Sequence, residues 1–268
     1  MEKSTMYMKF STIVLFLIGF SVLFNLTFFE PANKGEITLP AQEGVAVIEL
    51  FTSQGCSSCP SADRLLSQLI DQAETNELPV YGLSFHVDYW NRLGWKDPYS
   101  QKAFTQRQYD YARQMRQQGV YTPQMVVNGS AEFVGSNRGR AISEIEKAKK
   151  AGEATEIEVT QVSIQNETLT LTYESPEATV NTWLNVALVE RDIATQVNRG
   201  ENRGRLLEHD NVVRSFKQEA FKSQDKVQVR LPEDIDLQKC SLILYSQDKA
   251  SWHIDGATRV SLAELAKN

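Results

Sequence analysis

The run Val45-Ala46-Val47-Ile48-Glu49-Leu50-Phe51-Thr52-Ser53-Gln54-Gly55-Cys56-Ser57-Ser58-Cys59-Pro60 opens with apolar, β-branched residues and ends in two cysteines three positions apart. Val45 to Thr52 reads as a strand. From Ala62 to Glu74, Leu65, Leu66, Leu69, Ile70 and Ala73 recur at helical spacing, so a helix follows the turn. This order predicts that the first sulfur lies at a helix N-terminus, where unpaired N–H groups and the macrodipole stabilise a thiolate. Cys56 then reads as a nucleophile and Cys59 as the resolving thiol of a cycling dithiol. Pro60 fits the first turn, where a missing N–H costs little. Three other readings stay open on these residues: a metal half-site, a structural disulfide and two unreactive thiols. Zinc asks for two further ligands, and the chain has three histidines with no paired motif and no second CxxC.

Outward from this run, Val80 to Val87 reads as a second strand and Ser100 to Gln117 as a helix with Phe104, Tyr111 and Met115 on one face. Met125-Val126-Val127, Asn128-Gly129 and Ala131 to Val134 form a hairpin signal, and Ala141 to Lys149 a closing helix. This alternation predicts an α/β unit over 44–152. Beyond it come six short strand patterns: Ile157 to Ile164, Leu169 to Tyr173, Trp183 to Glu190, Val212 to Phe216, Val227 to Leu231 and Ser241 to Tyr245. They predict an all-β sandwich-like domain over 153–268.

The chain has 268 residues, a net charge of −6 and a pI near 5.3, with 41% hydrophobic and 23% charged residues. These values exclude disordered and collagen-like classes, and the acidic balance argues against nucleic acid as a partner. Phe10 to Phe29 carries no charge and as a helix would measure about 30 Å, the thickness of a bilayer core. Lys3 and Lys9 precede it and Glu30, Glu36 and Glu43 follow, which places the N-terminus inside and the body outside. Residues 1–30 are therefore expected to be a transmembrane signal-anchor and 31–43 a tether. The soluble part would be extracytoplasmic, periplasmic or extracellular, and secreted if the segment is cleaved. Asn25 to Glu30 offers no small-x-small cleavage site.

The CxxC run, together with Gly119-Val120-Tyr121-Thr122-Pro123-Gln124-Met125-Val126-Val127-Asn128-Gly129, resembles the two signatures of the thioredoxin fold. Over about residues 44–265 the chain is more closely similar to the exported bacterial family DUF1223, a domain of unknown function. Leu50 to Pro60, Phe85-His86-Val87-Asp88-Tyr89-Trp90, Tyr121-Thr122-Pro123-Gln124-Met125 and Asn211-Val212-Val213-Arg214 carry that similarity. The resemblance implies an α/β thioredoxin-like domain acting on protein thiols or disulfides of the cell envelope, with no cofactor. It implies a cis Thr122-Pro123 bond that orients an extended substrate beside the dithiol, and a carboxylate, here Glu49, that accepts the resolving thiol's proton. Departures from ordinary thioredoxin are the missing Trp before Cys56, the Ser57-Ser58 pair between the cysteines and about 30 residues inserted before the proline loop.

His86 and Asp88 fall at the carboxyl end of the second strand, the edge that holds Cys56 and where α/β sheets place ligands. A Cys-His-Asp triad is one reading of them. Another is a copper site of Cys56, Cys59 and His86, resembling exported copper chaperones and leaving a non-catalytic metal-handling or assembly module. Tyr121, Trp90 and His86 are expected to line the substrate groove, with Tyr89 and Trp95 beside Trp90. Cys240 alternates with apolar residues and reads as a buried structural thiol. Arg199-Gly200-Glu201-Asn202-Arg203-Gly204-Arg205 reads as a solvated hairpin loop.

Overall fold

The computed structural model describes Leu39 and residues 44–152 and 154–265. Strands and helices alternate first: β1 (Ala46–Thr52), α1 (Cys59–Thr75), β2 (Val80–His86), α2 (Lys102–Gln114), β3 (Gln124–Val127), β4 (Ala131–Val134) and α3 (Arg138–Lys150). Nine strands follow: β5 (Glu158–Gln165), β6 (Thr168–Glu174), β7 (Thr182–Glu190), β8 (Ile193–Gln196), β9 (Leu206–His209), β10 (Val212–Ala220), β11 (Gln224–Arg230), β12 (Cys240–Asp248) and β13 (Ile254–Ser261).

β1 is buried along its whole length, as expected of an apolar central strand covered on both faces. It pairs parallel with β2 and antiparallel with β3, and β3 pairs antiparallel with β4. The Asn128-Gly129 turn, with φ of 45° and 62°, closes that hairpin. Its Asn128 side chain accepts from Val47 N at 2.6 Å and donates to Val45 O at 2.9 Å, which fixes the turn to the start of β1. α1 lies directly on β2 because Gly82 has no side chain there. A Cβ at that position would meet Ile70 Cγ1 at 2.7 Å.

Four strands beyond residue 152, β7, β10, β12 and β13, join this sheet instead of forming a body of their own. One eight-stranded mixed sheet runs in the order β13-β12-β7-β10-β2-β1-β3-β4. An α/β thioredoxin-like domain followed by an all-β sandwich-like domain is therefore not what forms. The seam is β10 beside β2: Ser84 N donates to Asn211 O, and the Asn211 side chain donates to Gly82 O, both at 2.9 Å. A second sheet, β11-β6-β5, covers one face of the extension. Alternation along β7 and β12 divides their side chains between two cores. Leu184, Val186, Leu188, Leu242 and Leu244 meet the second sheet, while Ala187, Val189, Ile243 and Tyr245 join Phe51, Phe85, Phe104 and Tyr111. The expected anchor and tether at residues 1–43 lie outside the described residues, apart from Leu39. Among the described residues no helix is long and apolar enough to cross a membrane.

The core around Phe51 and Phe85 encloses an ion pair. Arg107 of α2 donates to Glu49 of β1 through Nε at 3.0 Å and through its terminal nitrogen at 2.6 Å. The Tyr245 hydroxyl of β12 donates to the same carboxylate at 2.5 Å. Arg107→Met should strand a buried carboxylate without its partner, so urea unfolding should show a loss of about 3–5 kcal/mol.

Candidate functional site

The CxxC run leaves β1 through a turn in which Gly55 N donates to Ser53 Oγ at 3.1 Å and Cys56 N to Ser53 O at 3.2 Å. α1 begins at Cys59, so Cys56 lies three residues before the helix. The two cysteines are joined as a disulfide with Cα atoms 5.5 Å apart. Both are fully buried, at 0% exposure, while Ser57 and Ser58 between them face solvent.

The proline loop stands against this pair. The Thr122-Pro123 bond is cis, and Thr122 O lies 3.9 Å from Cys56 Sγ. Ser58 Oγ is 3.2 Å from the same sulfur. Trp90 Nε1 donates to Thr122 Oγ1 at 2.8 Å, and Gln108 of α2 donates to Tyr121 O at 2.7 Å, so two neighbours hold the loop in place. The Tyr121 hydroxyl points away to Glu132, at 2.5 Å. Trp95 Nε1 donates to the Gln54 side chain at 3.1 Å.

Glu49 is not free beneath the disulfide; its carboxylate is taken up by Arg107 and Tyr245. The buried acid on the cysteine helix is Asp63, one turn after Cys59 and on the same helix face. Its Oδ1 accepts from Thr52 Oγ1 at 2.7 Å, and its Oδ2 faces His209 Nδ1 at 3.6 Å. Burial raises the Asp63 pKa from 3.8 to about 7, against the pull of His86 and Thr52. Burial, with the nearby His86 charge, pushes His209 down to about 3, so this imidazole is neutral and the contact is not a salt bridge near pH 7.

His86 belongs to a second buried pair, with its Nδ1 2.7 Å from Asp97 Oδ2. Burial opposes its charge, but Asp97 outweighs that and raises the pKa above the ordinary histidine value. Asp97 shifts the opposite way: burial favours its neutral acid, yet His86 and the N–H groups of Gln54 and Tyr99 hold it ionised. Asp88 instead accepts from Thr105 Oγ1 at 2.6 Å, so the carboxylate partner of His86 is Asp97. Of the ligands in the copper alternative, the two cysteines are bonded to each other here, His86 Nδ1 meets Asp97, and His86 Nε2 has no hydrogen-bond partner among the described residues. Among the described residues no three His, Cys, Asp or Glu side chains are grouped to hold a metal ion.

Asp63, Asp97, His209 and Asn202 are site residues that the sequence reading did not single out. Asp63 alone left a signal, as a carboxylate interrupting the apolar face of α1. The unfolded chain releases the Asp63 proton near pH 3.8 and the folded chain near 7, so this group lowers stability as pH rises through that window. Asp63→Asn should relieve the loss. Its stability relative to the parent should climb between pH 4 and pH 8 by up to about 4 kcal/mol, read by urea unfolding of the oxidised protein. An equal difference at both pH values would contradict the assignment.

Comparison with known proteins adds kinship without an activity. Protein AGR_C_4864 from Agrobacterium tumefaciens is similar in structure, with a TM-score of 0.62 and 29% identity over 83% of this chain and 96% of that one. A domain of the outer membrane lipoprotein Omp28 from Porphyromonas gingivalis overlaps only weakly, with a TM-score of 0.25 at 11% identity over 41% of this chain and 88% of that one. No curated protein matches. Residues 47–247 match the family described as protein of unknown function DUF1223, and the chain belongs to that family.

Proposed function

We propose that the protein carries out thiol–disulfide exchange on protein thiols of the cell envelope, held at the membrane by its N-terminal segment. The observation that carries this reading is the Cys56–Cys59 disulfide beside α1, with the Thr122 carbonyl 3.9 Å from Cys56 Sγ. A short CxxC loop against an extended backbone suits an incoming peptide whose main chain pairs with the proline loop.

In the oxidising direction a substrate thiolate attacks Cys56 Sγ, the Cys56–Cys59 bond breaks, and Cys59 leaves with the electron pair. Protonated Asp63, one helical turn away, supplies the proton that Cys59 takes up. A second substrate thiolate then attacks the substrate sulfur of the mixed disulfide. A substrate disulfide forms, Cys56 departs as thiolate, and two electrons have passed to the pair. The reverse sequence reduces a substrate disulfide, with Asp63 accepting the Cys59 proton. With a pKa near 7, Asp63 serves either direction at neutral pH. Cys240 takes no part: it is buried, its thiol donates to Asp236 O at 3.1 Å, and burial pushes its pKa up to about 12.

The full burial of both cysteines favours a second reading, a structural staple. Equilibration of the full chain in glutathione buffers, with thiol alkylation and mass spectrometry, separates the two. Exchange predicts a reversible midpoint between about −120 and −270 mV, and Cys59→Ser should accumulate a mixed disulfide at Cys56. A pair still oxidised far below that range would be a staple.

A further inference from the structure

The backbone of the CxxC turn is held by a loop from the other half of the chain. β8 and β9 pair only with each other and project as a two-stranded ribbon whose connecting loop, residues 197–205, reaches the CxxC turn. Asn202 at its tip is fully buried, and its Nδ2 donates to Gln54 O at 2.9 Å and to Cys56 O at 2.8 Å. Glu201 Oε2 accepts from Ser57 N at 2.9 Å. These three contacts take up backbone groups on both sides of Cys56.

The tip is built to hold that pose. Arg205 donates to Asn202 Oδ1 at 2.8 Å, Gly204 N to Val197 O at 2.8 Å and Arg205 N to Asn202 O at 3.1 Å. Gly200 and Gly204 have φ of 74° and 83°, the left-handed region that glycine enters without strain. Gly200 also lets the loop approach Trp95, since a Cβ there would lie 3.3 Å from Trp95 Cβ. The base of the ribbon is buried at Ile193, Val197, Leu207 and His209, whereas at the tip only Asn202 is. Glu201, Arg203, Gly204 and Arg205 face solvent, so the tip can lift while the base stays.

We propose that the 197–205 loop is an autoinhibitory latch: Asn202 and Glu201 hold it over the Cys56–Cys59 disulfide, and exchange requires it to lift. The latch rests on the exchange reading for its purpose. A thiolate must approach a sulfur along the S–S axis, so a closed latch scales the observed rate by the fraction of open molecules. Opening also frees Gln54 O, Cys56 O and Ser57 N, two acceptors and a donor for the backbone of a polypeptide substrate.

The test measures how fast the pair is reduced in the full-length protein by tris(hydroxypropyl)phosphine. This uncharged reductant ends as the phosphine oxide, with its oxygen from water, while the pair gains two electrons and two protons. Asn202→Ala deletes both hydrogen bonds to the CxxC turn, with the one accepted from Arg205, and should speed reduction about tenfold or more. Glu201→Gln, at an exposed position that leaves the fold intact, should speed it about two- to threefold. Alkylation of Cys240 monitors global opening and should not change. Rates within 1.5-fold of the parent in both variants would overturn the latch, as would acceleration matched by faster Cys240 labelling. The glutathione midpoint answers separately: a pair too stable to exchange defeats the proposed function while the phosphine rates still decide whether the loop guards it.

Discussion

The buried pair of Glu49 and Arg107 is the constraint around which the other parts are arranged. A charge in the interior persists only with a close, well-hydrogen-bonded partner, and here the partners come from distant parts of the chain. Arg107 takes Glu49 from β1 in a two-point contact, and oxygens of Tyr111, Tyr245 and Gln247 lie 3.2 Å from the terminal nitrogen that donates to Glu49. Aromatic rings enclose the guanidinium, with Phe216 at 4.8 Å and Tyr111 at 5.1 Å from its carbon. The full set of contacts forms only when β1, α2 and β12 are all in place. The pair thus forces α2 and the last strands onto the same face of β1.

That placement sets the geometry at the sulfurs. Gln108, the next residue of α2, turns to the proline loop, donating to Tyr121 O at 2.7 Å and to the Gln124 side chain at 2.8 Å. Thr122 is thereby held where its carbonyl meets Cys56. From the opposite side, β10 locks onto β2 and brings the adjoining β8–β9 ribbon with it. The ribbon delivers His209 to Asp63 and Asn202 to the CxxC backbone. Residues from both halves of the sequence therefore surround one disulfide, although its two cysteines are only three positions apart.

The strand–turn–helix around the cysteines, the Asn128-Gly129 hairpin and the buried character of Cys240 were legible because each depends on neighbours a few residues away. Other features misled. The runs at Trp183 to Glu190 and Ser241 to Tyr245 pointed to a self-contained sandwich, but apolar strands look alike whichever sheet they join. β8 and β9 are too short, and β13 too mixed, to leave a strong period. Glu49 shares a strand face with Val45, Val47 and Phe51, so its burial was legible from alternation. Its partner was not, since Arg107 lies 58 residues away on a helix read only for its apolar face.

The sequence by itself determined the local features: a cysteine pair next to a helix start, a proline loop to face it, and a net charge of −6. Backbone propensity and hydrophobic period act over one or two turns, and these features need no more. Tertiary structure decided which acid pairs with His86, that Arg107 takes up Glu49, and that Asn202, 146 residues from Cys56, donates to its carbonyl. Those outcomes depend on strand pairing and on the matching of buried charges between remote segments, and neither leaves a periodic trace in the chain.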